Sequence, residues 1–252
     1  MTEREATGPL KGKAAVVTGG SRGIGRAIVQ RLARDGADVV FSYASNADAA
    51  AEVVRACADS GGSVRATQAD LGEPGAAEAL MEHAEKELGG LDILVNNAAP
   101  EFPVTPIAQI GEELFDRVMA VNAKAVFLTM RHAARSMRDG GRIINISTIN
   151  TVRPAPGNAP YAASKGAIEQ LANVAAIELG ARGITVNTVS PGATDTDLLR
   201  ATNAPEGLEA LAAVTPLRRI GSPAEVADVV AFLAGPDGRW MTGQNLRAGG
   251  GL

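Results

Sequence analysis

Two rhythms of hydrophobic and polar positions alternate along this chain. Short apolar or alternating runs at residues 14–18, 38–43, 63–69, 91–96, 142–147 and 184–189 read as strands. Between them, residues 24–34, 47–58, 76–88, 112–137 and 162–181 carry apolar side chains at helical spacing, and a break is expected near the start of 112–137. Ser222 reads as the N-cap of a further helix, 223–234, with Pro223 in its first position, and 244–247 reads as a last edge strand. Strand and helix in strict alternation predict an α/β fold, a doubly wound parallel sheet of about seven strands with right-handed crossovers and helices on both faces. Neither a repeat nor a Pro/Ser-rich linker interrupts the pattern. It implies one Rossmann-type domain over residues 11–252, preceded by a disordered tail, 1–10, whose acids and lack of an apolar core argue against a signal peptide. The least regular stretch, 193–216, follows the C-terminal end of a strand, where such folds place ligands. It reads either as a substrate-covering loop or as a surface excursion.

Composition narrows the choices. Hydrophobic residues make up 46% of the chain and aromatics only 3%, so aliphatic side chains must fill the core. The net charge of −4, without a basic stripe, argues against nucleic acid as a partner. No apolar run is long enough to span a bilayer. Cys57 is the only cysteine, which excludes an internal disulfide and suits a cytoplasmic setting. His83 and His132 lie in helical patterns, and the Cys/His set that a zinc-dependent dehydrogenase needs is missing, so no metal is expected.

Two motifs carry chemistry. Thr18-Gly19-Gly20-Ser21-Arg22-Gly23-Ile24-Gly25 joins the first strand to the first helix. Glycines there permit a positive-φ turn, close backbone approach to a pyrophosphate, and tight helix–strand packing, while the helix N-terminus attracts phosphate charge. The second motif, Tyr161-Ala162-Ala163-Ser164-Lys165, opens the helix after the fifth strand and puts Tyr161 and Lys165 on one helical face. A free tyrosine has a pKa of about 10. A nearby ammonium lowers it, and the phenol can then exchange a proton with a carbonyl or carbinol oxygen.

The spacing Gly19-x-x-x-Gly23-x-Gly25, with Tyr161-x-x-x-Lys165, resembles the short-chain dehydrogenase/reductase family over residues 10–250. The resemblance implies that Gly19, Ser21, Arg22, Gly23, Ile24 and Gly25 cradle a dinucleotide, that Asp70 and Leu71 flank its adenine, and that Asn97 and Ala98 lie against it. In Asn96-Asn97-Ala98-Ala99, Ala99 replaces the family's glycine and narrows that space. Pro191, Gly192, Thr194 and Thr196 would hold the nicotinamide carboxamide. Tyr161 and Lys165 would reach the nicotinamide ribose. The family places a serine with twelve residues intervening before the tyrosine; that count lands on Thr148, and Ser147 is the alternative. Strand alternation lets only one of the two face the nicotinamide. Asn122 matches the asparagine that supports a water linked to the lysine.

NAD-preferring relatives carry an acid at the end of the second strand. Here Phe41-Ser42-Tyr43-Ala44-Ser45-Asn46 has none, and Ser42, Tyr43 and Arg22 suit a 2′-phosphate instead, which implies NADP(H). The implied activity is interconversion of a ketone and a secondary alcohol by direct hydride transfer, with Tyr161 as acid or base. The motifs are similar to those of polyhydroxynaphthalene-type and carrier-protein ketoreductases. Substrate is therefore a free small ketone or a carrier-bound 3-oxoacyl group; Asp139 and Ile177 stand near where carrier-protein reductases tend to be basic, but Arg135 and Arg138 lie close by. Pro100, Phe102, Asn150, Val152, Pro154 and Leu198 form the expected rim. Enoyl reductases of the superfamily have a longer Tyr-to-Lys spacing. A non-catalytic NADP sensor is the alternative of another class, and the Ala-rich long helices suit a homotetramer.

Overall fold

The computed structural model describes residues 8–252. Seven parallel strands form one sheet: β1 Ala14–Val17, β2 Asp38–Tyr43, β3 Val64–Gln68, β4 Ile93–Asn96, β5 Arg142–Ile146, β6 Thr185–Pro191 and β7 Asn245–Ala248. Their order is β3-β2-β1-β4-β5-β6-β7, so the sheet grows outward in both directions from β1 and β4. Crevices at such a reversal collect ligands beyond the strands' C-terminal ends.

Strand alternation sorts the core into two layers. Ala15, Val17, Val39, Phe41, Ile144 and Ile146 face a cluster with Ile28, Val29 and Leu32 of α1 (Gly23–Arg34), Val53 of α2 (Ala47–Ala56) and Val226, Val230 and Leu233 from the helix Pro223–Ala234. Val16, Val40, Leu94, Ile143 and Val186 face the other way. They meet Met81 of α3 (Ala76–Leu88), Met130 from the segment after β4, and Ile168 and Ala172 from the helix after β5. Burying each large aliphatic side chain is worth roughly 1.5–3 kcal/mol, which binds helices to both faces.

Three expectations need correction. Residues 1–7 of the expected tail lie outside the described residues, but Leu10 is core: it is 2% exposed, and its N–H donates to the Asp35 carbonyl at 2.9 Å. Beyond β4 the long helix is in three parts, α4 (Glu112–Met119), a π turn (Ala120–Lys124) and α5 (Ala125–Ser136). The break thus falls at Asn122, and the Ala125 N–H bonds back to the Ala120 carbonyl. After β5, α6 runs Ala159–Leu179. The stretch 193–216 is not irregular, since it holds α7 (Asp197–Thr202, capped by Thr196) and α8 (Pro205–Val214). Their shortness and mixed polarity hid them. The last helix, α9 (Pro223–Ala234), begins with a reciprocal Ser222–Glu225 capping box. Among the described residues no helix is long and apolar enough to cross a membrane.

Candidate active site

The glycine turn is shaped by missing side chains. Gly19 and Gly23 have φ of +69° and +53°, backbone conformations that exclude most L side chains. A Cβ on Gly19 would lie 2.8 Å from the Ala98 Cα, and one on Gly25 would lie 2.0 Å from the Gly19 carbonyl oxygen. No side chain caps the N-terminus of α1, and no acid sits in its first turn. Its leading N–H groups therefore suit a phosphate, and the cradle fits a dinucleotide's pyrophosphate. Ser21 and Ile24 are half-buried around this turn.

The neighbouring strand ends hold the turn in place. Asn97 donates through Nδ2 to the Thr18 and Gly19 carbonyls, each at 3.0 Å, while the N–H groups of Asn97 and Ala98 donate to Thr18 Oγ1. Thr18 was not singled out in the sequence, and only its place just before the glycines could have marked it. Ser42 has a structural task as well. Its buried Oγ accepts the Gly19 N–H at 3.1 Å, so it shapes the turn. Asn46 is the N-cap of α2, its Oδ1 accepting the Ala49 N–H at 2.9 Å. Tyr43, half-buried, ends β2. Arg22 is exposed and pairs with Glu101 of the loop after β4. Asp70 accepts two bonds from Arg117, at 2.7 and 2.8 Å, and a third from the Gly72 N–H; these hold its carboxyl below the usual range. Leu71 packs on Leu80 and Val121. At the end of β6, a Cβ on Gly192 would meet Gly249 at 2.8 Å, the buried Thr194 Oγ1 donates to the Gly192 carbonyl, and the Thr196 side chain approaches Gly23.

The structure brings Thr148, Tyr161 and Lys165 together where β5 meets α6. Thr148 caps a 3-10 turn, Ile149–Thr151, its Oγ1 accepting the Asn150 N–H at 3.3 Å, and its hydroxyl acts on the Tyr161 phenol. Burial pushes the Tyr161 phenol above its ordinary value, and the Thr148 hydroxyl pulls it back. Lys165 is buried, donates to the Ile146 carbonyl at 2.7 Å, and is drawn down to about 8 by desolvation against the opposing charge of Glu169. Its Nζ lies 5.8 Å from the Tyr161 ring centroid. Sequence reasoning expected this lysine to lower the tyrosine; in the structure burial raises it, and the lowering influence comes from the hydroxyl of Thr148. Ser147 meets a different partner on α6, donating to Glu169 at 2.6 Å. Asn122 donates to Ser164 Oγ at 3.1 Å, while its buried Oδ1 has no hydrogen-bond partner among the described residues.

Phe102 stacks on Tyr161, with ring centroids 5.3 Å apart and planes at 28°. Val104, Ile107, Val152, Leu198, Val214 and Leu217 expose apolar surface on the segments beyond β4, β5 and β6. Several of these residues lie outside the expected rim and on segments without clear periodicity. His132 pairs with Glu85 at 2.7 Å, away from the site.

Residues 19–252 match a family model described as Enoyl-(Acyl carrier protein) reductase. A short-chain type dehydrogenase/reductase of Picea abies is 42% identical over 251 residues, covering 96% of this chain and 93% of the relative. Versicolorin reductase 1 of Aspergillus parasiticus is 40% identical over 255 residues, covering 96% and 97%. The crystal structure of the angucycline C-6 ketoreductase LanV with bound NADP superposes with a TM-score of 0.92 at 44% identity, over 99% of this chain and 98% of that one.

Proposed function

The chain belongs to the short-chain dehydrogenase/reductase family, and we propose that it is an NADP(H)-dependent ketoreductase acting on a free ketone with an apolar body. The observation that carries this reading is the trio Thr148, Tyr161 and Lys165 beside an uncapped glycine cradle. Bound NADPH supplies the hydride. Gly19, Gly23 and Gly25 admit its pyrophosphate, and Arg22 takes the 2′-phosphate. An exposed pair such as Arg22–Glu101 is worth only about 0–1 kcal/mol, so a phosphate displaces Glu101 readily. Thr148 donates to the substrate's carbonyl oxygen and orients it. Tyr161 gives that oxygen its proton, or takes it in the reverse direction. Lys165 retains donors beyond the one on Ile146, with which it holds the ribose and supports the developing phenolate. The unpartnered Asn122 Oδ1 is the acceptor that a relay water needs.

Three features favour a free substrate over a carrier-bound one. Asp139 pairs with Arg182 at 2.8 Å and Ile177 is 84% exposed, at positions where a carrier protein's acids would seek bases; Arg138 is engaged by Asp92. The family model's description names an enoyl reductase, but Tyr161 and Lys165 stand four residues apart, the spacing of the ketone-reducing members. The lone buried Cys57 suits a reducing, cytoplasmic setting.

The test is NADPH oxidation with 2-tetralone, a 3-oxosteroid and a 3-oxoacyl thioester. We expect turnover of an apolar ring ketone, lost by about 10²–10⁴ in Tyr161→Phe, and at least about tenfold preference for NADPH over NADH, or roughly 1.4 kcal/mol. Tight NADPH binding with no ketone reduced would favour the sensor reading; tighter NADH would reject the cofactor assignment. We also infer a homotetramer, supported by apolar exposure at Phe115, Phe127, Val174, Ile177, Phe232 and Trp240. A monomeric mass by light scattering at micromolar concentration would reject it.

A further inference from the structure

Glu169 lies one helical step beyond Lys165, as Lys165 lies one step beyond Tyr161, so the three share a face of α6. Its Oε1 accepts two hydrogen bonds, from Ser147 Oγ at 2.6 Å and from Thr151 Oγ1 at 2.9 Å. Ser147 precedes Thr148 and Thr151 closes the turn that Thr148 caps. Lys165 holds the preceding residue through the Ile146 carbonyl. Two side chains of α6 therefore grip the corner at three points, and Thr148 stands between the two that Glu169 holds.

We propose that Glu169 is a positioning residue of the reacting site: it clamps the chain on both sides of Thr148 and so sets where the Thr148 hydroxyl stands against Tyr161. This assigns Ser147 a task as well. Its hydroxyl is an anchor for Glu169, not a donor to substrate. The carboxylate also acts on Lys165 through space, opposing the burial that lowers this ammonium. From α6 itself, Tyr161 and Glu169 are the titratable groups facing Lys165. Strand β5 offers the neutral Ile146 carbonyl, the 3-10 corner offers Thr148 and Thr151, and the π turn offers Asn122 through Ser164, all uncharged. Removing the charge of Glu169 lets Lys165 lose its proton at lower pH.

The inference rests on the proposed roles of Thr148 and Tyr161. It is tested in the full chain with NADPH and whichever ketone of the panel the unaltered protein reduces fastest. Glu169→Gln keeps an acceptor oxygen for both hydroxyls but carries no charge. It should hold kcat near neutral pH within about threefold, while the alkaline limb of kcat/KM moves to lower pH. Glu169→Ala loses clamp and charge, and should lower kcat by about tenfold or more with the NADPH Kd unchanged, as misplacement of a reacting group does. Unaltered kcat and pH profile in Glu169→Ala would overturn the proposal. So would equal losses in Gln and Ala with the alkaline limb in place. Should Glu169→Ala not fold, the pair Ser147→Ala/Thr151→Val removes the clamp and leaves the carboxylate; wild-type kcat there overturns the proposal, and a fall in kcat without a moved limb supports it. Tyr161→Phe is run alongside. Full activity in that variant removes the underlying reading, whereas a dead Tyr161→Phe beside an unaffected Glu169→Ala removes the role of Glu169 alone.

Discussion

The glycine turn before α1 and the corner after β5 lie at the same edge of the sheet and are built by opposite means. The turn works through absent side chains. Gly19, Gly23 and Gly25 let backbone meet backbone, and neutral partners, Thr18, Ser42 and Asn97, hold the loop from outside. The corner works through present ones: Thr148, Tyr161, Lys165 and Glu169 each face a specific partner, and Tyr161 and Lys165 are displaced from their ordinary values. The difference matches the tasks proposed for them. An anion can be held by backbone N–H groups, which need room and direction. Moving a proton needs titratable side chains, which burial and neighbours must tune.

The comparison makes unequal demands on substitution. Beyond Tyr161 itself, the largest effect is expected at Thr148. Thr148→Val keeps the shape and loses the donor, and removal of one such donor elsewhere has cost about 10²–10³ in rate, or about 2.7–4 kcal/mol. Cofactor affinity should be untouched, and Thr148→Ser should retain most activity. A near-normal Thr148→Val beside a dead but folded Ser147→Ala, judged by kcat/KM and thermal melting, would reverse the assignment. A middle effect is expected at Gly25. Gly25→Ala forces a methyl toward the Gly19 carbonyl, and overpacking of this kind costs about 1–3 kcal/mol. It should appear as weaker NADPH binding and a lowered Tm with the pH profile of the remaining activity unchanged; a shifted profile would show that the two regions are not independent. The smallest effect is expected for Ser147→Ala, which removes one of two hydrogen bonds to Glu169, worth about 0.5–1.5 kcal/mol. It should lower kcat by less than Thr148→Val does.

Two adjacent pairs show how far reading the chain could go. Asn96 and Asn97 look alike in sequence, and so do Ser147 and Thr148. Period-two alternation sends the members of each pair to opposite sides. Asn96 turns inward, donates to Asn145 Oδ1 at 2.9 Å and accepts from Thr129, while Asn97 turns to the glycine loop. Spacing from Tyr161, read through the family resemblance, pointed to Thr148. It could not show what Ser147 does instead, because Glu169 and Thr151 come from other elements. Asp70 was legible as a strand-end acid, whereas its pairing with Arg117, 47 positions away, was not.

By itself the sequence determined the strand–helix alternation, the glycine turn, the Tyr161–Lys165 face and the acid-free end of the second strand. Each depends on local periodicity or on residues within a turn or two of one another, and such geometry is set by the backbone. Only the tertiary structure decided that Ser42 supports the turn, that Leu10 belongs to the core, that 193–216 folds into two helices, that the π turn sits at Asn122, and that Glu169 holds the corner of Thr148. Those outcomes depend on burial and on partners distant in the chain. A side chain's ionisation and its hydrogen bonds are properties of the space it occupies, and that space is made only when the elements pack.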